Sequence, residues 1–159
     1  LRTLAAGARQ APETRLLRGL NAQILLMRFE PEASATPVPV NGPGVTHVCF
    51  QAPAGKPLFE RFMAAGAKAV TRGGQPMRLV PEVPVRYFYG RDPDGAMFEN
   101  EILEMQPPPA FDSRVGHVGM AVADIDRTLT FYTELLGKPP RERRSNLARP
   151  SLDQVADLD

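Results

Sequence analysis

The chain has 159 residues, is 43% hydrophobic and 23% charged, and carries a formal net charge of +1. That length allows one domain with a real core or two small modules sharing one, and so small a charge offers no field to draw in nucleic acid or an acidic membrane surface. The single cysteine, Cys49, excludes an internal disulfide framework and a structural cysteine-zinc site, and fits a reducing, cytoplasmic setting.

The first ten residues, LRTLAAGARQ, lack the apolar core of a secretory signal. The longest purely aliphatic run, residues 24–27, is far short of the roughly 20 residues that span a bilayer. The absence of an initiator Met and the abrupt end at Asp159 read as a sequence cut at both ends. Prolines concentrate in residues 31–43 and 107–109, which read as linkers dividing the chain into segments 1–40, 41–106 and 107–159.

In the first segment, NAQILLMRFEP reads as a strand buried on at least one face. Residues 3–18 fit either a second strand with a loop or a frayed helix. The second segment opens with VTHVCFQ, a strand. Pro57 then suits a helix start, Leu58, Phe59, Phe62 and Met63 fall at helical spacing, and Gly66 supplies the stop. Residues 68–71 form a short strand candidate, followed by a Gly73-Gly74 turn. VRYFYGRDPDGAMFENEIL reads as strand, tight turn, strand, with Pro93 and Gly95 supplying the turn dihedrals. Alternation puts Met97, Glu99 and Glu101 on one face and Phe98, Asn100 and Ile102 on the other. The order is βαβββ.

The third segment begins RVGHVGMAVAD, another strand, then a helix over roughly residues 125–136 capped by Asp124 and ended by Gly137. Residues 138–151 read as a loop, and 152–158 as the start of a strand or a turn of helix. The second and third segments repeat one unit. Aligning His47 with His117 also aligns Val48 with Val118, Phe50 with Met120, Phe59 with Leu129 and Phe62 with Tyr132. The chain's two histidines therefore hold one position, the middle of the first strand of a repeat. A lone strand histidine is usually structural; two at equivalent places point to a site. Val48 and Phe50 suit packing under the helix, so His47 faces away from it, beside Cys49. Were two such modules to pair, their histidines would converge, with Glu99 as the carboxylate best placed to join them. Two imidazoles and one carboxylate make a facial triad suited to Fe(II) or another divalent first-row ion.

HVCFQ with its helix, DPDGAMFE, and HVGMAVADIDRTLTFYTELLG together resemble the vicinal oxygen chelate superfamily of glyoxalases, bleomycin-resistance proteins and extradiol dioxygenases. The resemblance implies an α+β fold of paired βαβββ modules forming a cup, with a divalent metal (Fe(II), or Zn, Ni, Mn or Co) held by His47, Glu99 and His117. It implies a small-molecule substrate that chelates through adjacent oxygens. Where the family often carries a further metal-binding Glu, this chain has Leu25, with Gln23 on the same strand face, which favours dioxygenase-like chemistry over a four-ligand, glyoxalase-like lyase, isomerase or epimerase. Tyr89 stands at the spacing from Glu99 that a catalytic tyrosine holds in extradiol enzymes, although the acid–base histidine of those enzymes has no counterpart in the first segment. Cys49 is a candidate substrate contact. A metal-free, drug-binding protein is the competing class. As a fragment of a tandem protein, the chain would place His47 and His117 in separate cups; as a permuted domain, or a homodimer exchanging modules, it would place them in one.

Overall fold

The computed structural model describes residues 13–28, 39–145 and 149–158. The non-signal start, most of the first proline stretch and the terminal Asp159 lie outside the described residues. The elements run β1 (Glu13–Arg18), β2 (Gln23–Arg28), β3 (Gly44–Pro53), α1 (Leu58–Ala64), β4 (Lys68–Ala69), β5 (Val85–Arg91), β6 (Met97–Leu103), β7 (Arg114–Ala121), α2 (Ile125–Leu136) and α3 (Pro150–Ala156). The fold is α+β, as expected: β3, α1, β4, β5 and β6 form a βαβββ run, and β7 with α2 repeats its opening strand and helix.

Five strands form one sheet in the order β4-β5-β6-β3-β7. β6 runs parallel to β3, while β5 pairs with β6 and β7 with β3 antiparallel. The β5–β6 hairpin is set by its turn. Asp92 Oδ1 accepts the Asp94 and Ala96 N–H groups at 3.0 and 2.8 Å, and Gly95 takes a φ of 93° that disfavours other residues. This fixes the register that places Tyr89 opposite Glu99.

One face of the sheet is aromatic and carries α1. Phe62 stacks on Phe98 with centroids 4.3 Å apart, and Phe59 meets Phe88 edge-on at 4.9 Å. Such pairs contribute about 0.5–1.5 kcal/mol each beyond the area they bury. The other face carries α3 at the β5–β6 end, where buried Val155 and Ala156 pack with Tyr89 and Met97. Thr71 ties α3 down by donating its hydroxyl to the Val155 carbonyl at 2.8 Å. The tail from residue 152, which sequence left between strand and helix, is thus a helix, and it begins inside the expected 138–151 loop, at Pro150, whose missing N–H costs nothing at that position.

The start of α2 follows the sequence: Asp124 Oδ1 accepts the Arg127 N–H at 2.9 Å, and Gly137 closes the helix in the left-handed conformation. The expectation that the QILLMR strand is buried on one face is corrected. Among the described residues β2 pairs only with β1, and it is exposed except at half-buried Ile24. Leu17, Ile24 and Leu26 line an open cavity of about 370 Å³ shared with Val48, Phe50 and Phe62, so these side chains face the sheet without closing onto it. Residues 3–18 resolve to a strand where they are described, since β1 carries residues 13–18. No helix among the described residues is long and apolar enough to cross a membrane.

Candidate metal centre

The site grows from the way the repeated strands pair. β3 and β7 are antiparallel with Val48 opposite Val118, His47 opposite Gly119 and Cys49 opposite His117. Equivalent residues therefore sit at the centre of the pairing, and the histidines fall diagonally across it on one face. Diagonal positions are within reach of long or aromatic side chains, and the two Nε2 atoms come within 3.3 Å of each other. On the opposite flank of β3, the parallel β6 sets Glu99 beside Cys49. Tyr89, Glu99, Cys49 and His117 make one row across four strands.

Glu99 Oε2 lies 3.0 Å from His117 Nε2 and 3.5 Å from His47 Nε2. Glu99 is only 4% exposed, and among the described residues no donor meets its Oε2 with hydrogen-bond alignment. Burial by itself would push the Glu99 carboxyl up, but the two imidazoles, His117 foremost, outweigh it and hold the pKa at about 2. Reciprocally, Glu99 raises the pKa of His117 against the smaller opposing effect of its partial burial. A buried carboxylate and two imidazoles thus aim at one point that requires positive charge. Protons on the rings provide it in part; a cation would provide it fully.

The donor set and its spacing both fit a first-row divalent ion. Donors about 2.1 Å from an ion lie about 3.0 Å apart at octahedral angles and about 3.4 Å at tetrahedral ones, and the three contacts here span 3.0 to 3.5 Å. A second grouping, Cys49, Glu99, Glu101 and His117, also offers ligand atoms within 4.8 Å of one another. The first set is the better one. Its contacts are the shorter, at 3.0 to 3.5 Å, and in the metal-free chain burial, then the charge of Glu99, pushes the Cys49 thiol far up, so an ion bound there would have to displace its proton. Glu101 is already engaged, accepting a 2.5 Å hydrogen bond from Gln51 Nε2.

Of the residues singled out in the sequence, His47, Glu99 and His117 meet, and Tyr89 stands beside them with its ring edge-on to His47 at 5.1 Å. Burial, and then the Glu99 charge, pushes the Tyr89 hydroxyl up, so at neutral pH it is a donor. Cys49 is fully buried between Glu99 and His117 and presents no surface to a substrate. Leu25 and Gln23 lie in the separate β1–β2 sheet. Sequence reading missed Thr46 and Gln51. Thr46 Oγ1 lies 3.0 Å from His47 Nδ1, a contact that only its adjacency to a histidine could have signalled. Gln51 links Glu101 to Arg114, whose Nε donates to Gln51 Oε1 at 2.8 Å.

The model of the Glyoxalase/Bleomycin resistance protein/Dioxygenase superfamily matches residues 114–156, which span β7, α2 and α3 and include His117. No curated protein and no solved structure matches the chain.

Proposed function

We propose, taking the superfamily match over residues 114–156 as premise, that this chain is a divalent-metal enzyme acting on a small substrate with two adjacent oxygens, by dioxygenase-like chemistry. The observation that carries the reading is the convergence of His47, Glu99 and His117 on one point, with the Glu99 oxygen buried there and unmet by an aligned donor. These three residues would hold Fe(II), or Zn, Ni, Mn or Co in its place. When bound, the ion supplies Lewis acidity toward the chelating oxygens and leaves open positions for them.

The chain's own groups do the rest. His47 and His117 contribute neutral nitrogens and Glu99 the one negative charge, so a bound divalent ion would keep one net positive charge, which favours an anionic substrate oxygen. Tyr89, protonated at neutral pH, would donate to a substrate oxygen or to charge developing on it. α3 packs on the Tyr89/Met97 cluster at one side of the site. A single buried, unpaired Cys49 suits a reducing compartment such as the cytoplasm.

The test is turnover of a catechol by the Fe(II)-loaded chain, read by oxygen uptake and product mass. Ring opening with both oxygen atoms of O₂ retained in the product, lost in Glu99→Ala, supports the reading. Isomerisation of a hemithioacetal without oxygen uptake would favour the glyoxalase-like alternative. Ligand binding with no metal requirement would favour a drug-sequestering protein.

A further inference from the structure

Thr46 directly precedes His47 in a strand, where alternation should send neighbouring side chains to opposite faces. The ladder slips between Val45 and His47, and the buried Thr46 hydroxyl comes to lie 3.0 Å from His47 Nδ1. The same hydroxyl donates to the Gly119 carbonyl at 3.2 Å. A hydroxyl has one proton. When that proton goes to Gly119, Thr46 Oγ1 offers the ring a lone pair, and in this arrangement His47 Nδ1 donates and Nε2 carries the free electron pair. Nε2 is the atom that faces Glu99 and His117.

Gly119 completes the socket. A Cβ there would lie 2.1 Å from His47 Cε1 and 2.5 Å from Nε2, inside any tolerable contact. The absence of a side chain on β7 is what lets the His47 ring lie flat across that strand.

We propose that Thr46 is a positioning residue which, with Gly119, holds His47 as the Nδ1–H tautomer with its Nε2 lone pair presented to the centre. This rests on the metal-centre reading for its purpose, though its geometry stands without it. The neighbouring carboxylate favours the opposite arrangement, because a neutral imidazole beside Glu99 would ordinarily turn its proton toward that oxygen. Thr46 decides the competition. A metal ligand whose far nitrogen is held in this way is oriented and made more basic, and losing such a partner typically costs 10- to 100-fold in metal affinity.

The experiment compares the wild-type chain with Thr46→Val, which keeps the shape and loses the hydroxyl, and Thr46→Ser, which keeps the hydroxyl. Two readouts are taken: Zn(II) affinity by competition with a chromophoric chelator, and the His47 tautomer from ring ¹⁵N shifts in the metal-free chain at alkaline pH. The expected result is Nδ1–H in wild type and Thr46→Ser, a shift toward Nε2–H in Thr46→Val, and a 10- to 100-fold weaker Zn(II) affinity in Thr46→Val alone. An Nε2–H ring in the wild-type chain overturns the proposal, as does a Thr46→Val variant with unchanged tautomer and affinity. If the wild type holds Nδ1–H but binds no Zn(II), the positioning role stands and the metal-centre reading falls.

Discussion

Replacing Glu99 with Gln removes the charge at the centre and keeps its shape, and the consequence for the metal-free chain follows from the site's electrostatics. The carboxyl is held at about 2 against an ordinary value of 4.5, a displacement equivalent to about 3 kcal/mol of favourable interaction with the imidazoles after burial is overcome. Because the folded value is the lower one, that stability is present above pH 4.5 and is lost as pH falls toward 2. His117 has a raised value, so its share is present below pH 6.5 and is lost as pH rises through that raised value. Urea unfolding in the presence of a chelator, run from acid to neutral pH on wild type and Glu99→Gln, reads the difference directly. Substituting an amide adds an offset that does not change with pH, so the informative quantity is the pH dependence of the difference. It should shrink by about 3 kcal/mol as pH falls from 4.5 to 2. A difference that stays constant over that interval would refute the claim that Glu99 is ionised against the two histidines.

Three further outcomes test the frame around the site. Phe88→Ala empties a fully buried position that packs on Phe59 and Phe98, and should destabilise the chain by about 3–5 kcal/mol in denaturant unfolding; a loss under about 1 kcal/mol would mean this core is not packed as described. Asp124→Ala deletes the cap on the Arg127 N–H and should cost about 1 kcal/mol, with earlier amide exchange in the first turn of α2 as its local signature. Cys49, buried and protonated, should resist iodoacetamide in the native chain and react once urea unfolds it; rapid native alkylation would contradict its position between Glu99 and His117.

Much of the scaffold was legible because it is local. Apolar spacing gave α1 and α2, Asp124 and Gly137 marked the ends of the second of these, and the Asp-Pro-Asp-Gly turn fixed the alternation that put Glu99 opposite Phe98 and Asn100. The meeting of His47 with His117 was less so. The repeat showed that they are equivalent, but whether equivalent strands pair with each other, and with Val48 opposite Val118, is a choice between distant segments that no local pattern encodes. The Thr46 contact depends on a slip in the β3–β7 ladder, and such slips leave no period in the sequence. The β1–β2 pair misled for a related reason. An apolar run states that a strand can be buried, and burial then depends on what closes over it; here the cavity beneath Leu17, Ile24 and Leu26 stays open. α3 was left open between strand and helix because a helix of seven residues carries too few turns to establish a stripe, and its stability comes from the Thr71 and Val155 contacts instead.

The central claim is that one cation site is built jointly by the first strands of two repeats and the last strand of one. Elemental analysis of the purified chain, with His47→Ala and His117→Ala alongside, tests it most directly. The account predicts bound divalent metal near one ion per chain in the wild type, lost in both variants. Metal retained in His117→Ala, or a wild-type chain that takes up none when offered Fe(II) or Zn(II), would contradict it.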